Sequence, residues 1–329
     1  MDALLPPAVM FRSVLVTGGT GSFGQAFARK ALDIGCERVC VLSRSEHKQA
    51  EMRAAFNDDA RLRFFIGDVR DKDRLVLAMR GVEAVVHAAA LKVVPACEAD
   101  PSEAIKTNIL GADNVVHAAL VAGVRRVMAI STDKAAAPNT LYGCTKLCAE
   151  RLFIAANNYA GARPTRFSCV RYGNVIGSSG SVIPIFQAMR DAGATSLPVT
   201  HKDMTRFFWS LGEAVEFTLS SMGMMAGGEV FIPKIKARRI VDVAREVAPD
   251  LPHKIVGIRP GEKLHEALIA SDEVRYTLEL PDRYVIRPVD PVWNYQHLKG
   301  AKSVPDGFSY GSDSAMLAPS TEHQRQGAA

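Results

Sequence analysis

An α/β fold with a doubly wound parallel sheet is expected from three observations. Short β-branched runs alternate with longer helical patterns from residue 13 to about 175, the first run feeds straight into a glycine-rich loop, and beyond 175 the rhythm gives way to glycines, prolines and short segments. Strands separated by helices pair in parallel and are covered on both faces, so the first half reads as a Rossmann-like domain.

The elements follow in order. S-V-L-V-T (13–17) is the first strand, with a helix from about 22; R-V-C-V-L-S (38–43) is the second, with a helix from about 46. L-R-F-F-I-G (62–67) precedes a short helix, A-V-V-H-A-A (84–89) a long helix from about 101, and R-V-M-A-I-S (126–131) the stretch T-D-K-A-A-A-P-N-T-L-Y-G-C-T-K. R-F-S-C-V-R-Y-G-N-V (166–175) closes the series. The expected division is a dinucleotide-binding domain over 1–175 and a smaller α/β substrate domain over 176–300, allowing a strand or helix to return to the first. A polar tail over 301–329, rich in Gly, Ser and Pro, is expected to be poorly ordered.

Composition narrows the function classes. Nearly half of the 329 residues are apolar, enough for a sizeable core, but no run approaches the ~20 apolar residues of a membrane span. A net charge of +5, spread along the chain, argues against nucleic acid as the main partner and suits a small phosphate-bearing ligand. Six cysteines form no C-x-x-C pair, so neither a metal site nor a disulfide framework is indicated, and they are expected to be reduced core residues. A soluble, cytoplasmic protein is expected.

In T-G-G-T-G-S-F-G, Gly18, Gly21 and Gly24 are three apart and the helix begins inside the motif. Glycines there permit a tight turn and a close approach of backbone N–H groups to a pyrophosphate, which the helix N-terminus favours. Thr20, Ser22 and Phe23 complete this cofactor loop. At the end of the second strand, where an acid commonly meets the ribose of NAD, stand Ser43 and Arg44, followed by Lys48; a guanidinium there suits a 2′-phosphate, so NADP is the expected cofactor. The alternative is that Arg44 is an exposed charge flanking a helix. Asp68, with Val69, ends the third strand and faces the adenine, and the small Ala88 and Ala90 let the cofactor lie against the backbone.

Tyr142 and Lys146 are four apart and share one helical face. An ammonium beside a phenol, aided by an oxidised nicotinamide, favours the phenolate, a base for removing a proton from an alcohol. Y-x-x-x-K alone occurs by chance; its place after the fifth strand gives it weight. Asp133 and Lys134 lie at the carboxyl end of that strand, where ligands of open α/β sheets bind. Beside a ketone, such a pair can remove a C–H proton and protonate a departing hydroxyl, a dehydration. This requires a neutral Lys134 and a protonated Asp133, both expected from burial. A solvated Asp-Lys turn is the alternative.

Together, T-G-G-T-G-S-F-G, S-T-D-K with Y-G-C-T-K, R-Y-G-N-V-I-G-S, D-M-T-R-F and G-I-R-P-G-E-K-L-H-E resemble the extended short-chain dehydrogenase/reductase superfamily, and within it the inverting nucleotide-sugar 4,6-dehydratases of pseudaminic acid type. The likeness runs from about residue 12 to 290. It implies a UDP-sugar substrate, UDP-N-acetylglucosamine, oxidised at C4, dehydrated across C5 and C6 and inverted at C5. By position it implies Tyr142 as the C4 base, Lys134 as the C5 base, Asp133 as the acid at C6, Thr132 on the sugar oxygen and Lys146 on the nicotinamide ribose. Lys92, Asn174, Thr200, Arg206, Arg259 and Glu262 match positions used around the nucleotide sugar, the two arginines facing the diphosphate. Val93 and Ser179 depart from the pattern, where His and Arg are more usual. A homo-oligomer is implied as well. A 4-epimerase, a C5-retaining 4,6-dehydratase and a non-catalytic NADP-binding module are the competing readings; Asp133 and Lys134 speak against the first, Lys134 with Tyr142 against the second, and the four intact groups Tyr142, Lys146, Asp133 and Lys134 against the third.

Overall fold

In the computed structural model, residues 10–177, 181–289, 291–293, 295–296 and 298–316 are described. The chain opens on β1 (Ser13–Thr17), whose residues are all buried, as expected for a strand covered on both faces. After it come α1 (Ser22–Asp33), β2 (Arg38–Ser43), α2 (Glu46–Ala55), β3 (Leu62–Ile66), α3 (Lys72–Ala78) and β4 (Ala84–His87). The long helix expected from 101 is subdivided: α4 (Val94–Ala99) and α5 (Pro101–Ile105) each carry a proline in the first turn, a π-helical turn covers Lys106–Leu110, and α6 (Gly111–Ala122) ends on Gly123 at φ 72°. Proline lacks an N–H and fits the first turn, so each one restarts the helix. Then follow β5 (Arg126–Thr132), a 3-10 turn over Asp133–Ala135, α7 (Leu141–Ala160) and β6 (Arg166–Tyr172).

These six strands lie parallel in the order β3-β2-β1-β4-β5-β6. Alternate residues of β1 serve opposite layers: Val14 and Val16 join Phe27 of α1, whereas Leu15 joins Leu75 of α3, Val115 of α6 and Phe153 of α7. The period of two in a strand thus builds both cores at once.

From residue 174 on, the chain alternates between the two units. β7 (Asn174–Val175), α8 (Val182–Asp191), β8 (Leu197–Val199) and β9 (Thr205–Trp209) begin the smaller one; α9 (Leu211–Met224) returns to the α1 layer, where Val215 and Phe217 pack, and β10 (Val230–Pro233) pairs parallel to β6. β11 (Ala237–Arg239), α10 (Ile240–Val247) and β12 (His253–Ile255) complete the smaller unit around Phe186, Leu197, Val199, Phe208 and Val243. Next are β13 (Ala267–Ile269), β14 (Thr277–Glu279), β15 (Arg283–Ile286), β16 (Lys302–Ser303) and β17 (Tyr310–Gly311). β15, β14 and β16 extend the main sheet antiparallel beyond β10, giving it ten strands among the described residues. Between residues 176 and 300, α9 packs in the α1 layer and β10, β14 and β15 lie in the main sheet.

The expected disorder from residue 301 is corrected as far as 316. Tyr310 is buried, its hydroxyl accepts from Ile235 N at 2.7 Å with its one proton shared between the carbonyls of Pro233 and Ile235 at 3.1 and 3.0 Å, and it packs against Phe207 and Tyr284; Ser312 is buried against Thr205 and Glu266. One aromatic with a satisfied hydroxyl anchors a segment whose composition reads as a tail. Residues 317–329 and Ser179 lie outside the described residues. The cysteine expectation also changes in part: Cys36, Cys40, Cys97 and Cys169 are buried, but Cys144 and Cys148 are exposed on α7.

A buried ion cluster ties the layers together. The Arg171 guanidinium on β6, 1 % exposed, donates to both oxygens of Glu150 on α7 at 3.0 and 2.6 Å and to both of Glu273 at 2.7 and 2.8 Å. It also donates to the Leu268 carbonyl at 3.0 Å, and Ser131 donates to Glu150. One guanidinium is shared by two carboxylates, each held by two hydrogen bonds, so removing the cation leaves both anions buried without it.

Candidate active site

The glycine loop is shaped by close backbone approach. Gly18 holds φ 65°, and a Cβ there would lie 2.9 Å from Ala89 backbone; one on Gly24 would lie 2.5 Å from Gly19 Cα. Helix α1 starts from Gly21 with no side chain capping it, so its first turn presents backbone N–H groups at the carboxyl edge of β1. Thr20 is buried, and Phe23 stacks towards Phe27 and Tyr172. The half-buried Ala88 and Ala90 follow β4, adjacent to the loop through Gly18 and Ala89. The uncapped helix end and glycine cradle fit a dinucleotide pyrophosphate.

At the end of β2 the expected contacts separate. The Ser43 hydroxyl is buried and accepts from Gln49 Nε2 at 3.0 Å, which also donates to the Phe65 carbonyl at 2.9 Å, so Ser43 serves the β2–β3 junction. Arg44 is exposed with NH1 4.0 Å from Asp68 Oδ2, and Lys48 is exposed one helical turn on. Asp68 is held by Arg70, which donates to it from NH2 at 2.7 Å and from the backbone at 3.0 Å; burial opposes ionisation, but these donors hold its pKa below the ordinary value. Val69 is buried beneath Gly111. Arg44→Ala is expected to weaken NADP by roughly tenfold or more and NAD far less, since a charged hydrogen bond to phosphate is lost only with NADP. Titration with both dinucleotides checks this, and equal losses refute the assignment.

The 3-10 turn places Thr132, Asp133 and Lys134 under the start of α7. Thr140 caps α7 by accepting from Gly143 N at 3.1 Å, and Gly143 is required because a Cβ would lie 2.3 Å from the Lys134 carbonyl. Tyr142 and Lys146 are both buried on one face of the helix, as their spacing requires. Thr132 Oγ1 donates to Asp133 Oδ1 at 3.0 Å, and the Tyr142 hydroxyl hydrogen-bonds to the Thr132 side chain. Asp133 is 1 % exposed, and its Oδ2 has no partner among the described residues.

Two electrostatic expectations are corrected. Lys134 is an ammonium: burial works to lower its pKa, but Asp133 Oδ1 at 3.0 Å and Glu266 Oε1 at 3.3 Å raise it above the ordinary lysine value. The cation acting on Tyr142 is also Lys134 and not Lys146. Burial pushes the phenol up to about 12, with Lys134 and the Thr132 hydrogen bond opposing the rise. Lys146 Nζ instead donates to the Ile130 carbonyl at 2.8 Å, and burial lowers its pKa despite Glu150 one turn away.

Glu266 is the residue the sequence reading passed over. It is 3 % exposed, pairs with Lys134 and lies 3.8 Å from Arg206 Nε, with Oε2 unpartnered among the described residues. Glu262, expected at the substrate from the same G-E-K-L-H-E motif, accepts at Oε2 from Arg259 N at 3.2 Å, stabilising the loop. The expectation that both arginines face a diphosphate is corrected for Arg206. It is buried on β9 and donates to the carbonyls of Thr205, Leu264 and Lys263 at 2.6, 3.2 and 2.9 Å, so it anchors the segment carrying Glu266. Arg259 and Lys92 are exposed, Thr200 is half-buried, and Asn174 turns an unpartnered buried Oδ1 inward beside Gly173, which faces Asp133 Oδ2. Val93 is 60 % exposed. The acceptors on Asp133, Glu266 and Asn174 call for donors, as a polyhydroxylated ligand supplies.

His87 ends β4 between the two halves of the site. Its Nδ1 shares a hydrogen bond with Thr17 Oγ1 at 2.8 Å, and burial, with Lys146 nearby, lowers its pKa from 6.5 to about 3. The folded state thus binds fewer protons than the unfolded one between these values, so its contribution is complete above about pH 6.5 and is lost as pH falls towards 3. A His87→Gln variant is expected to flatten the acid limb of the stability curve by up to about 1.4 kcal/mol per pH unit. Urea melts from pH 4 to 7 measure it, and unchanged slopes refute it.

Comparison with known proteins adds independent findings. A family model described as polysaccharide biosynthesis protein matches residues 14–288. The UDP-N-acetylglucosamine 4,6-dehydratase (inverting) of Campylobacter jejuni is 50 % identical over 315 residues, covering 93 % of this chain and 94 % of the relative. A UDP-glucose 4-epimerase of Rickettsia conorii is 40 % identical, covering 85 % and 83 %. The X-ray structure of Pen from Bacillus thuringiensis superposes with a TM-score of 0.87 at 36 % identity over 94 % of this chain and 95 % of that one. A dTDP-glucose 4,6-dehydratase from Streptomyces venezuelae, solved with NAD bound, gives 0.69 at 25 % identity over 76 % and 86 %. The expected doubly wound fold is therefore borne out by the sheet order and by these neighbours.

Proposed function

The chain belongs to the polysaccharide biosynthesis protein family, and from this premise we propose that it is an NADP-dependent, configuration-inverting 4,6-dehydratase acting on UDP-N-acetylglucosamine. The product is UDP-2-acetamido-2,6-dideoxy-β-L-arabino-hex-4-ulose, a precursor suited to pseudaminic acid or a related surface glycan. The observation that carries this reading is the Thr132–Asp133–Lys134 turn set against Tyr142, with Asp133 buried and paired to Lys134: an acid/base pair that simple alcohol oxidation does not require. The 50 % identity to a relative of that name supports it.

A nicotinamide dinucleotide held by the Gly18–Gly24 loop and Lys146 would supply reversible hydride transfer, which the oxidation at C4 and the reduction at C6 both need. Lys146, with one proton committed to Ile130, has two left for the ribose hydroxyls. Tyr142 removes the C4 hydroxyl proton. The Asp133–Lys134 ion pair has the proton count that elimination needs: moving one proton across the 3.0 Å contact, from Nζ to Oδ1, turns carboxylate and ammonium into acid and amine. Lys134 then takes the C5 proton, and Asp133 protonates the C6 hydroxyl, which leaves as water. Asn174, Thr200, Arg259, Glu262 and Lys92 would surround the nucleotide sugar. We place the enzyme in the cytoplasm as a homo-oligomer; among the described residues no helix is long and apolar enough to cross a membrane.

NMR of the product formed from UDP-N-acetylglucosamine in deuterated water tests the reading. Deuterium at an inverted C5 beside a C4 ketone is expected. The epimerase-named relative favours a second reading, 4-epimerisation; UDP-N-acetylgalactosamine without a 4-keto product would establish that one and end the dehydratase proposal.

A further inference from the structure

Residues 136–140 join the Asp133–Ala135 turn to α7, and so set where the dehydration pair stands relative to Tyr142. This linker has no helix or strand of its own. Within it Ala137 holds φ 44°, a left-handed value that is unfavourable for a residue with a Cβ. Such a conformation persists only where the surroundings impose it.

The surroundings come from a distant stretch of chain, residues 261–266. Lys263 Nζ, 127 positions away in sequence, donates to the Ala136 carbonyl at 2.8 Å, next to the left-handed alanine. Gly261, at φ 79°, lies so close to the end of the linker that a Cβ on it would stand 2.6 Å from Cγ2 of Thr140, the N-cap of α7. Glu266 adds a third contact, 3.3 Å from Lys134 Nζ. The stretch is itself anchored to β9: Arg206 donates to the Lys263 carbonyl at 2.9 Å, and Thr205 N to the Leu264 carbonyl at 3.1 Å. A surface lysine keeps its ammonium in water. Lys263 is half-buried instead, and burial lowers its pKa, with Glu266 and Asp133 opposing.

We propose that Lys263 is a positioning residue for the dehydration half of the site: its ammonium clasps the Ala136 carbonyl and holds the Asp133–Lys134 turn in register with Tyr142. The same stretch of chain begins beside Arg259 and Glu262, to which the nucleotide sugar is assigned above, so substrate and turn are placed by one segment. In this role Lys263 touches no reacting atom and exchanges no proton. The inference rests on the dehydratase reading above.

Lys263→Met keeps the stem and removes the ammonium; Lys263→Arg keeps a cationic donor for the carbonyl. With the dinucleotide-loaded enzyme and UDP-N-acetylglucosamine, Lys263→Met is expected to lose on the order of 100-fold in kcat, and Lys263→Arg to remain within about tenfold of wild type. KM should change little, because Arg206 still anchors the segment. The loss should fall on elimination and spare oxidation at C4, since Tyr142 and Lys146 are held by α7. In a single turnover, absorbance of the reduced nicotinamide is therefore expected to build up in Lys263→Met and not in wild type. Amide hydrogen exchange over residues 134–140 needs no substrate: it should be faster in Lys263→Met and close to wild type in Lys263→Arg. Should Lys263→Met not fold, Lys263→Gln is read in the same way. Unchanged exchange, a loss confined to KM, a loss without reduced dinucleotide, or a kcat within about threefold of wild type overturns the clasp alone. Lys263→Arg as slow as Lys263→Met would make Lys263 a proton donor and overturns it too. A wild type that yields no 4-keto product overturns the dehydratase reading and this role with it, whereas hydrogen exchange judges the contact by itself.

Discussion

Lys134→Ala and Lys134→Arg are both expected to lower kcat for 4-keto product formation by about 10²- to 10⁴-fold, the usual contribution of a positioned acid or base. The reasons differ, which makes the pair informative. Alanine removes the base and leaves Asp133 and Glu266, 1 % and 3 % exposed, without their shared ammonium. Arginine keeps a cation for both carboxylates but does not release its proton near neutral pH. Lys134→Ala should therefore also lower the melting temperature, whereas Lys134→Arg should lose turnover with a smaller loss of stability. Normal turnover by either variant would remove Lys134 from the chemistry. Activity lost only in the alanine variant would assign Lys134 a charge-balancing role.

The largest effect on stability is expected at Arg171. Arg171→Ala leaves Glu150 and Glu273 buried and facing each other without a counter-charge, and breaking such a cluster by removing one partner costs about 3–5 kcal/mol. Urea denaturation of wild type and variant gives the difference, and a change below about 1 kcal/mol would show that the carboxylates protonate or hydrate at little cost. The damage should extend to the active site, because Glu150 lies one turn from Lys146 on α7 and accepts from Ser131, next to Thr132. Raised KM for dinucleotide in the folded fraction would report that displacement.

How much of this was legible beforehand differs between the two halves of the site. The glycine loop, the parallel strands and the Tyr142–Lys146 face are local: they depend on residue spacing within one strand, one turn and one helix, and the structure reproduces them within a residue or so. The charge state of Lys134 was not legible. Its environment is set by Glu266, more than a hundred positions away, held near it by Arg206 on another strand. Likewise Ser312 and Tyr310 lie in a segment whose composition reads as disorder, but each finds a buried partner across the fold.

Sequence alone determined which groups stand at the ends of β1 and β5, since strand length and helix period fix the direction of nearby side chains. Only the tertiary structure decided what those groups face. Lys134 meets two carboxylates, Lys146 turns to a backbone carbonyl, and Arg206 is committed to carbonyls of the Lys263–Leu264 segment instead of being presented to a ligand. The physical reason is that charge interactions and desolvation depend on separation in space, whereas the periodicities visible in a sequence report only separation along the chain.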